Sequence, residues 1–160
     1  HKKIVELFRN GQMIILENTL VESIYFVLSG KVKVYSTGVF GKQQIIRFAG
    51  AGNIIGHRGI NRKKWFIAAS ALEDIKICIV PIQDFMCLFE NNIQISHSLL
   101  LFFADELYRS EMKVKKLATL SVRERVADAL IQIKAVFSPY GVGSRLARHV
   151  PHGKRIFSSS

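Results

Sequence analysis

Two hydrophobic periods divide this chain. Up to Val80 the apolar residues come in short runs and alternations, and from Gln83 onward they recur every three to four residues. Gln12 to Leu16 reads as a strand. Tyr25-Phe26-Val27-Leu28, the turn Ser29-Gly30 and the alternating Lys31-Val32-Lys33-Val34-Tyr35 predict a hairpin with one buried and one wet face. Lys42 to Phe48, Phe66 to Ala71 and Ile75 to Val80 follow as strands, the last stopped by Pro81. At the start, His1 to Leu7 reads as the end of a helix with Val5 and Phe8 on one face, closed by the turn Arg9-Asn10-Gly11. Six or more short strands about 8 to 12 residues apart predict a small β-roll or barrel.

After Pro81 the period becomes helical. Gln83 to Phe89 is a short helix, Asn91-Asn92 a break, and Ile95 to Leu120 contains no Gly or Pro. Leu100, Phe103, Leu107, Val114 and Leu117 form a heptad seam whose polar member is Ser110, and Leu101, Ala104, Tyr108 and Met112 form a second stripe. One stripe suffices to pack on the roll, so the other predicts self-pairing, a homodimer through helix 95–120. Ser121 with Glu124 three residues on makes a capping box for another helix, Val122 to about Phe137, ended by Ser138-Pro139-Tyr140-Gly141. The remainder, to Ser160, has little periodicity and reads as a poorly ordered tail.

Composition narrows the class. Lys and Arg number 23 against 12 Asp and Glu, a formal charge of +11, which favours a polyanionic partner, most often nucleic acid. No acidic residue follows Asp128, whereas Arg145, Arg148, Lys154 and Arg155 do, and these are candidate contacts to DNA phosphates. The longest apolar run, Ser98 to Ala104, is too short to span a membrane, and the N-terminus has no signal-peptide pattern. Cys78 and Cys87 sit among apolar neighbours and read as buried reduced thiols, which fits a cytoplasmic location.

The candidate chemistry lies in Gly50 to Leu72, GAGNIIGHRGINRKKWFIAASAL. Glycines permit left-handed backbone and close approach to a ligand, so this turn is a natural anion cradle. Gly56, His57, Arg58 and Gly59 are its candidate effector-binding residues. A metal enzyme on a cupin-like barrel needs a close His pair and a carboxylate, and His57, His97, His149 and His152 do not supply that grouping within the roll. No nucleophile–base constellation or Walker-type loop is visible, so no catalytic residue, metal ligand or enzyme activity is expected.

Several segments together resemble the Crp/Fnr family of bacterial regulators. Tyr25 to Val34 is similar to that family's first hairpin, and Gly52-Asn53-Ile54-Ile55-Gly56 to the start of its phosphate-binding cassette. Ala71-Leu72-Glu73-Asp74, Cys78 and Pro81 resemble the strands after it. Leu117-Ala118 and Ser121 to Ala127 resemble the junction leading to the DNA-binding half. The likeness runs from about Phe8 to Phe137.

The resemblance implies an α+β fold: an N-terminal double-stranded β-helix, a jelly-roll-like β-roll flanked by helices, then a long dimerisation helix and a second capped helix. It implies a cyclic-nucleotide-binding-like sensor over residues 1–92, the dimerisation helix over 93–120, and over 121–160 the start of a DNA-binding region that reads as truncated. It also implies that Ser110 and Glu111 face the effector-binding residues of the turn from the long helix. Expected partners are a second copy, DNA and RNA polymerase. Where the cAMP-binding cassette follows its glycine with a ribose-binding glutamate, this chain has His57, and Trp65-Phe66 stands in place of arginine and serine. Losing a bidentate phosphate contact disfavours cAMP and leaves another small molecule as effector. The alternative is a ligand-free dimerisation or interaction domain that has lost effector and specific DNA binding. Its distinguishing sign is a roll filled by Trp65 and Phe66, with no cavity.

Overall fold

A computed structural model describes residues 3–137. Arg145, Arg148, Lys154, Arg155 and the expected tail lie outside the described residues. Eight strands come first: β1 (Ile4–Phe8), β2 (Met13–Ile15), β3 (Ser23–Ser29), β4 (Val32–Thr37), β5 (Gln43–Ala49), β6 (Ile54–Ile55), β7 (Ala68–Ala71) and β8 (Ile75–Pro81). They form two four-stranded antiparallel sheets, ordered β1-β8-β3-β6 and β2-β7-β4-β5. Three helices follow: α1 (Ile82–Asn91), α2 (Ile93–Thr119) and α3 (Val122–Phe137). This is the α+β roll with helices that the resemblance implies.

Two expectations are corrected. Ile4–Phe8 is a strand and not the end of a helix, pairing antiparallel with β8 from Ile4 opposite Ile79 to Phe8 opposite Ile75. Five residues cannot sustain a helix alone, whereas the edge of β8 offers them a full set of backbone partners. The second correction is the hairpin: β3 pairs with β6 and β8, and β4 with β5 and β7, so the two strands lie in different sheets. The chain crosses between sheets at Gly30, whose φ is +87° and where a Cβ would stand 2.2 Å from Ile75 Cγ2. Only glycine fits so close a passage.

β3 has no wet face because both faces of its sheet are covered. Alternation sends Val27, Ile75 and Ile77 into the core between the sheets, with Ile15, Val32, Ala69 and Trp65. It sends Ile24, Cys78 and Val80 to the outer face, where Phe85 of α1 and Leu99 of α2 close over them. α1 and α2 are therefore docked on the sheet that carries the glycine turn through β6. Cys78 is buried as expected, but Cys87 is exposed, because it lies on the side of α1 away from the roll.

The helix boundaries follow local chemistry. The Asn92 side chain accepts from the backbone N–H groups of Gln94 and Ile95, both at 3.1 Å, which starts α2. At α3 the Ser121 N–H donates to Glu124 Oε2 at 2.8 Å and the Glu124 N–H to Ser121 Oγ at 3.4 Å, the reciprocal capping box. No helix among the described residues is long and apolar enough to cross a membrane.

Candidate functional site

The glycine turn follows β6. Gly56 has a φ of +88°, and a short 3-10 turn, His57–Gly59, comes next. Trp65 covers this turn. A Cβ at Gly56 would lie 2.6 Å from its Cη2, and one at Gly59 2.4 Å from its Cζ3. The indole is 3% exposed and anchored through its backbone, with Trp65 N–H donating to Thr19 O at 2.9 Å and Asn18 N–H to Trp65 O at 2.8 Å. Within and just after the turn, Gly59 N–H donates to Gly56 O and Arg62 N–H to Gly59 O. The glycines thus admit an indole where the sequence suggests an anion. Phe66, paired with Trp65 in the sequence argument, is instead 43% exposed.

An anion does reach the turn, and it belongs to the protein. Glu106 on α2 is buried, and its Oε2 stands 2.9 Å from Arg58 Nη2 and 3.4 Å from His57 Nε2. Arg109 approaches the other oxygen at 3.7 Å. Ser110 belongs to the same group, accepting from Arg58 at 3.3 Å and donating to the Glu106 carbonyl at 2.9 Å. The His57 imidazole beside it, and then the Arg47 and Arg58 guanidiniums, hold the Glu106 carboxyl down to about 2 against the opposing effect of burial. Burial pushes His57 below its ordinary value, which leaves it neutral at neutral pH. Its ring packs edge-on against Phe102, with centroids 5.0 Å apart, and lies 5.7 Å from Phe103. Neither ring nitrogen has an aligned hydrogen bond among the described residues.

The structure therefore brings together Gly56, His57, Arg58, Gly59 and Ser110, and leaves Glu111 apart. Glu111 is exposed. Each helical residue turns about 100°, so a carboxylate sharing the face of Ser110 must stand four positions away, where Glu106 is, and not one. Sequence reasoning missed Glu106 and Arg47. The available signal was a charge in the stripe of α2 that otherwise packs on the roll, with Leu99 and Phe103 before it and Ser110 after it. That face takes Phe103 and Ser110 out of the predicted seam. Leu100, Leu107, Val114 and Leu117 remain more than half exposed on the outer side of α2.

Two hollows adjoin the group. One of about 20 Å³, between Arg47, Ile67 and the turn, has room for about one water. The other, about 280 Å³, lies between the turn and the two helices α1 and α2. Its walls are Ile60, Phe85, Met86, Phe89, Leu99 and Phe103, and its polar groups are His57, Arg58 and Asn61. Among the described residues no group of three His, Cys, Asp or Glu side chains is placed to hold a metal ion.

Residues 5–92 match the family described as the cyclic nucleotide-binding domain. The chain is 25% identical over 128 residues to the cyclic AMP receptor protein of Thermus thermophilus, covering 79% of this chain and 59% of that protein. It is 24% identical over 140 residues to the transcriptional activator protein Anr of Pseudomonas aeruginosa, covering 88% of this chain and 57% of that one. It thus spans somewhat more than half the length of these curated relatives. Among solved structures, FixK2 from Bradyrhizobium japonicum aligns with a TM-score of 0.73 at 24% identity, over 84% of this chain and 67% of that one. The c-di-GMP responsive regulator CLP of Xanthomonas campestris aligns at 0.70 and 14% identity, over 86% and 69%, a likeness of fold.

Proposed function

We propose, from the premise that this chain belongs to the cyclic nucleotide-binding domain family and to its Crp/Fnr branch, that it is the sensing and dimerising part of a transcription regulator. The roll receives a small effector other than cAMP, and α2 pairs with its copy in a second chain and passes the state of the roll toward DNA. The location that fits is the cytoplasm, and the partners are DNA and RNA polymerase.

One observation carries this reading: the Arg58–Glu106 ion pair at 2.9 Å joins the glycine turn directly to the long helix. An effector acts only through a difference in affinity between two arrangements, and a bond between turn and helix gives two arrangements, closed and released. Trp65 against Gly56 and Gly59, and Glu106 at Arg58, speak against a nucleotide phosphate at the turn. The ligand-free alternative is not favoured: the matching relatives are regulators, and although only about 20 Å³ stays open inside the roll beside the turn, a 280 Å³ hollow outside it is open beside His57. The exposed row Leu100, Leu107, Val114 and Leu117 supports the dimer.

The test uses the full chain. Light scattering after gel filtration is expected to give the mass of a dimer at micromolar concentration, and Leu107→Glu that of a folded monomer. Thermal unfolding is expected to stay unmoved by millimolar cAMP, where a ligand at about 100 times its Kd adds roughly 2.7 kcal/mol. Anisotropy of a labelled duplex is expected to rise with protein, and to rise less with Arg145, Arg148, Lys154 and Arg155 replaced by alanine. A monomeric wild type, a clear cAMP shift or no retention of DNA each overturns its part of the reading.

A further inference from the structure

We propose that the hollow between the glycine turn, α1 and α2 is the effector site, and that its ligand is a compact apolar molecule carrying one carboxylate. This rests on the sensing role proposed above and specifies where and what the protein senses.

The walls argue for the body of the ligand. Phe85, Phe89 and Phe103 with Met86, Leu99 and Ile60 make an aromatic, sulfur-containing lining around about 280 Å³. An apolar cavity of roughly 150 Å³ accepts a benzene ring, so this one has room for about a dozen non-hydrogen atoms. A nucleotide is too large and too polar for it. The polar groups argue for the head. The three polar residues that line the space, His57, Arg58 and Asn61, come from one short stretch of the turn, and the Arg58 guanidinium and the Asn61 amide carry N–H donors. His57 is 2% exposed, and its Nδ1 has no partner among the described residues. With its N–H on Nε2 toward Glu106, the neutral ring leaves Nδ1 as an acceptor, which suits a water or a ligand hydroxyl, so the donors to a carboxylate are Arg58 and Asn61. Arg58 adds the charge, and Arg47 and Arg109 near it leave cations in excess over the single Glu106 carboxylate. A carboxylate matches the guanidinium fork better than any neutral acceptor.

The same arrangement couples occupancy to the long helix. Arg58 faces both the hollow and Glu106, so a ligand carboxylate competes with Glu106 for one guanidinium. Binding loosens the bond between turn and α2, which is the two-state element the regulator requires.

The experiment is titration calorimetry of the full chain with trans-cinnamate, 4-phenylbutyrate and octanoate, each beside its primary amide. Trp65, the one tryptophan, gives an independent fluorescence signal from the adjoining turn in the wild type. At least one acid is expected to bind with a Kd below about 1 mM and about tenfold tighter than its amide. Met86→Trp, which places an indole in the hollow from a half-buried position, is expected to weaken binding about tenfold or more, and Ile60→Phe serves if that variant does not melt cooperatively. Phe66→Ala, outside the hollow, is expected to leave binding unchanged. Three results overturn the proposal: no acid bound below about 1 mM, amides bound as tightly as acids, or filled variants that bind like the wild type. A protein that binds the acids yet neither dimerises nor holds DNA would instead refute the regulator reading and leave this site standing.

Discussion

Replacing Glu106 by glutamine keeps the shape of the side chain and removes the charge that links the turn to α2. The carboxyl is held down to about 2 from an ordinary 4.5, and each unit of such a shift corresponds to about 1.36 kcal/mol of folding free energy above both values. The full shift sets an upper bound of about 3 kcal/mol. Arg58 is one-third exposed and turns to water when its partner is lost, so solvent screening lowers the expected cost to about 1.5–2 kcal/mol. At roughly 2–4 °C per kcal/mol for a chain of this size, Glu106→Gln should melt roughly 3–8 °C below the wild type at pH 7. The pH dependence is the sharper test. A carboxyl whose folded value is depressed stabilises above its unfolded value, and that contribution disappears as pH falls from about 4.5 toward 2. The wild type and the variant should therefore converge across this window in urea melts taken at half-unit steps. Equal melting temperatures at pH 7, or a gap that persists undiminished near pH 2.5, would refute the idea that Glu106 is an ionised, internally held anion.

Two further outcomes follow from the packing. Gly59→Ala pushes a methyl to 2.4 Å from the Trp65 ring and should cost about 1–3 kcal/mol, and in the double variant with Trp65→Phe the two costs should fall short of their sum by about 0.5 kcal/mol or more, read from chemical denaturation; strict additivity would mean that the indole does not cover the turn. Ser121→Ala removes half of the capping box and should weaken α3 by about 1 kcal/mol, seen as faster amide exchange in its first turn, while exchange in β3 and β8 stays unchanged.

The strands of the roll were legible because a half-buried or fully buried strand writes its burial into a period of two. Val32 to Tyr35 and Ile75 to Val80 are found where their alternation places them. The start of α3 was legible through the Ser121–Glu124 box, which acts on backbone groups within three residues, whereas Asn92 read only as a break and its capping of α2 appears in the structure. Pairing was not legible in the same way. Ser29-Gly30 between two apolar runs satisfies every local rule for a hairpin, and what prevents one is Ile75, 45 positions on, against which Gly30 is packed. The turn was recognisable as the place where chemistry gathers. What fills it was recognisable only in part: Trp65 was read as a lost arginine and, with Phe66, as a filler of the roll, but its place over Gly56 and Gly59 and the exposure of Phe66 were not foreseen.

By itself, then, the amino-acid sequence determined, β1 aside, the kind of most elements, the cap of α3, the family and the position of the turn, most of which depend on interactions between residues near in sequence. Only the tertiary structure decided which strands share a sheet, that Glu106 and not Glu111 meets Arg58, and that a hollow remains beside His57. Those outcomes depend on how two sheets and two helices stack. A shift of one residue around α2 moves a side chain by about 100°, enough to exchange a buried carboxylate for a solvated one.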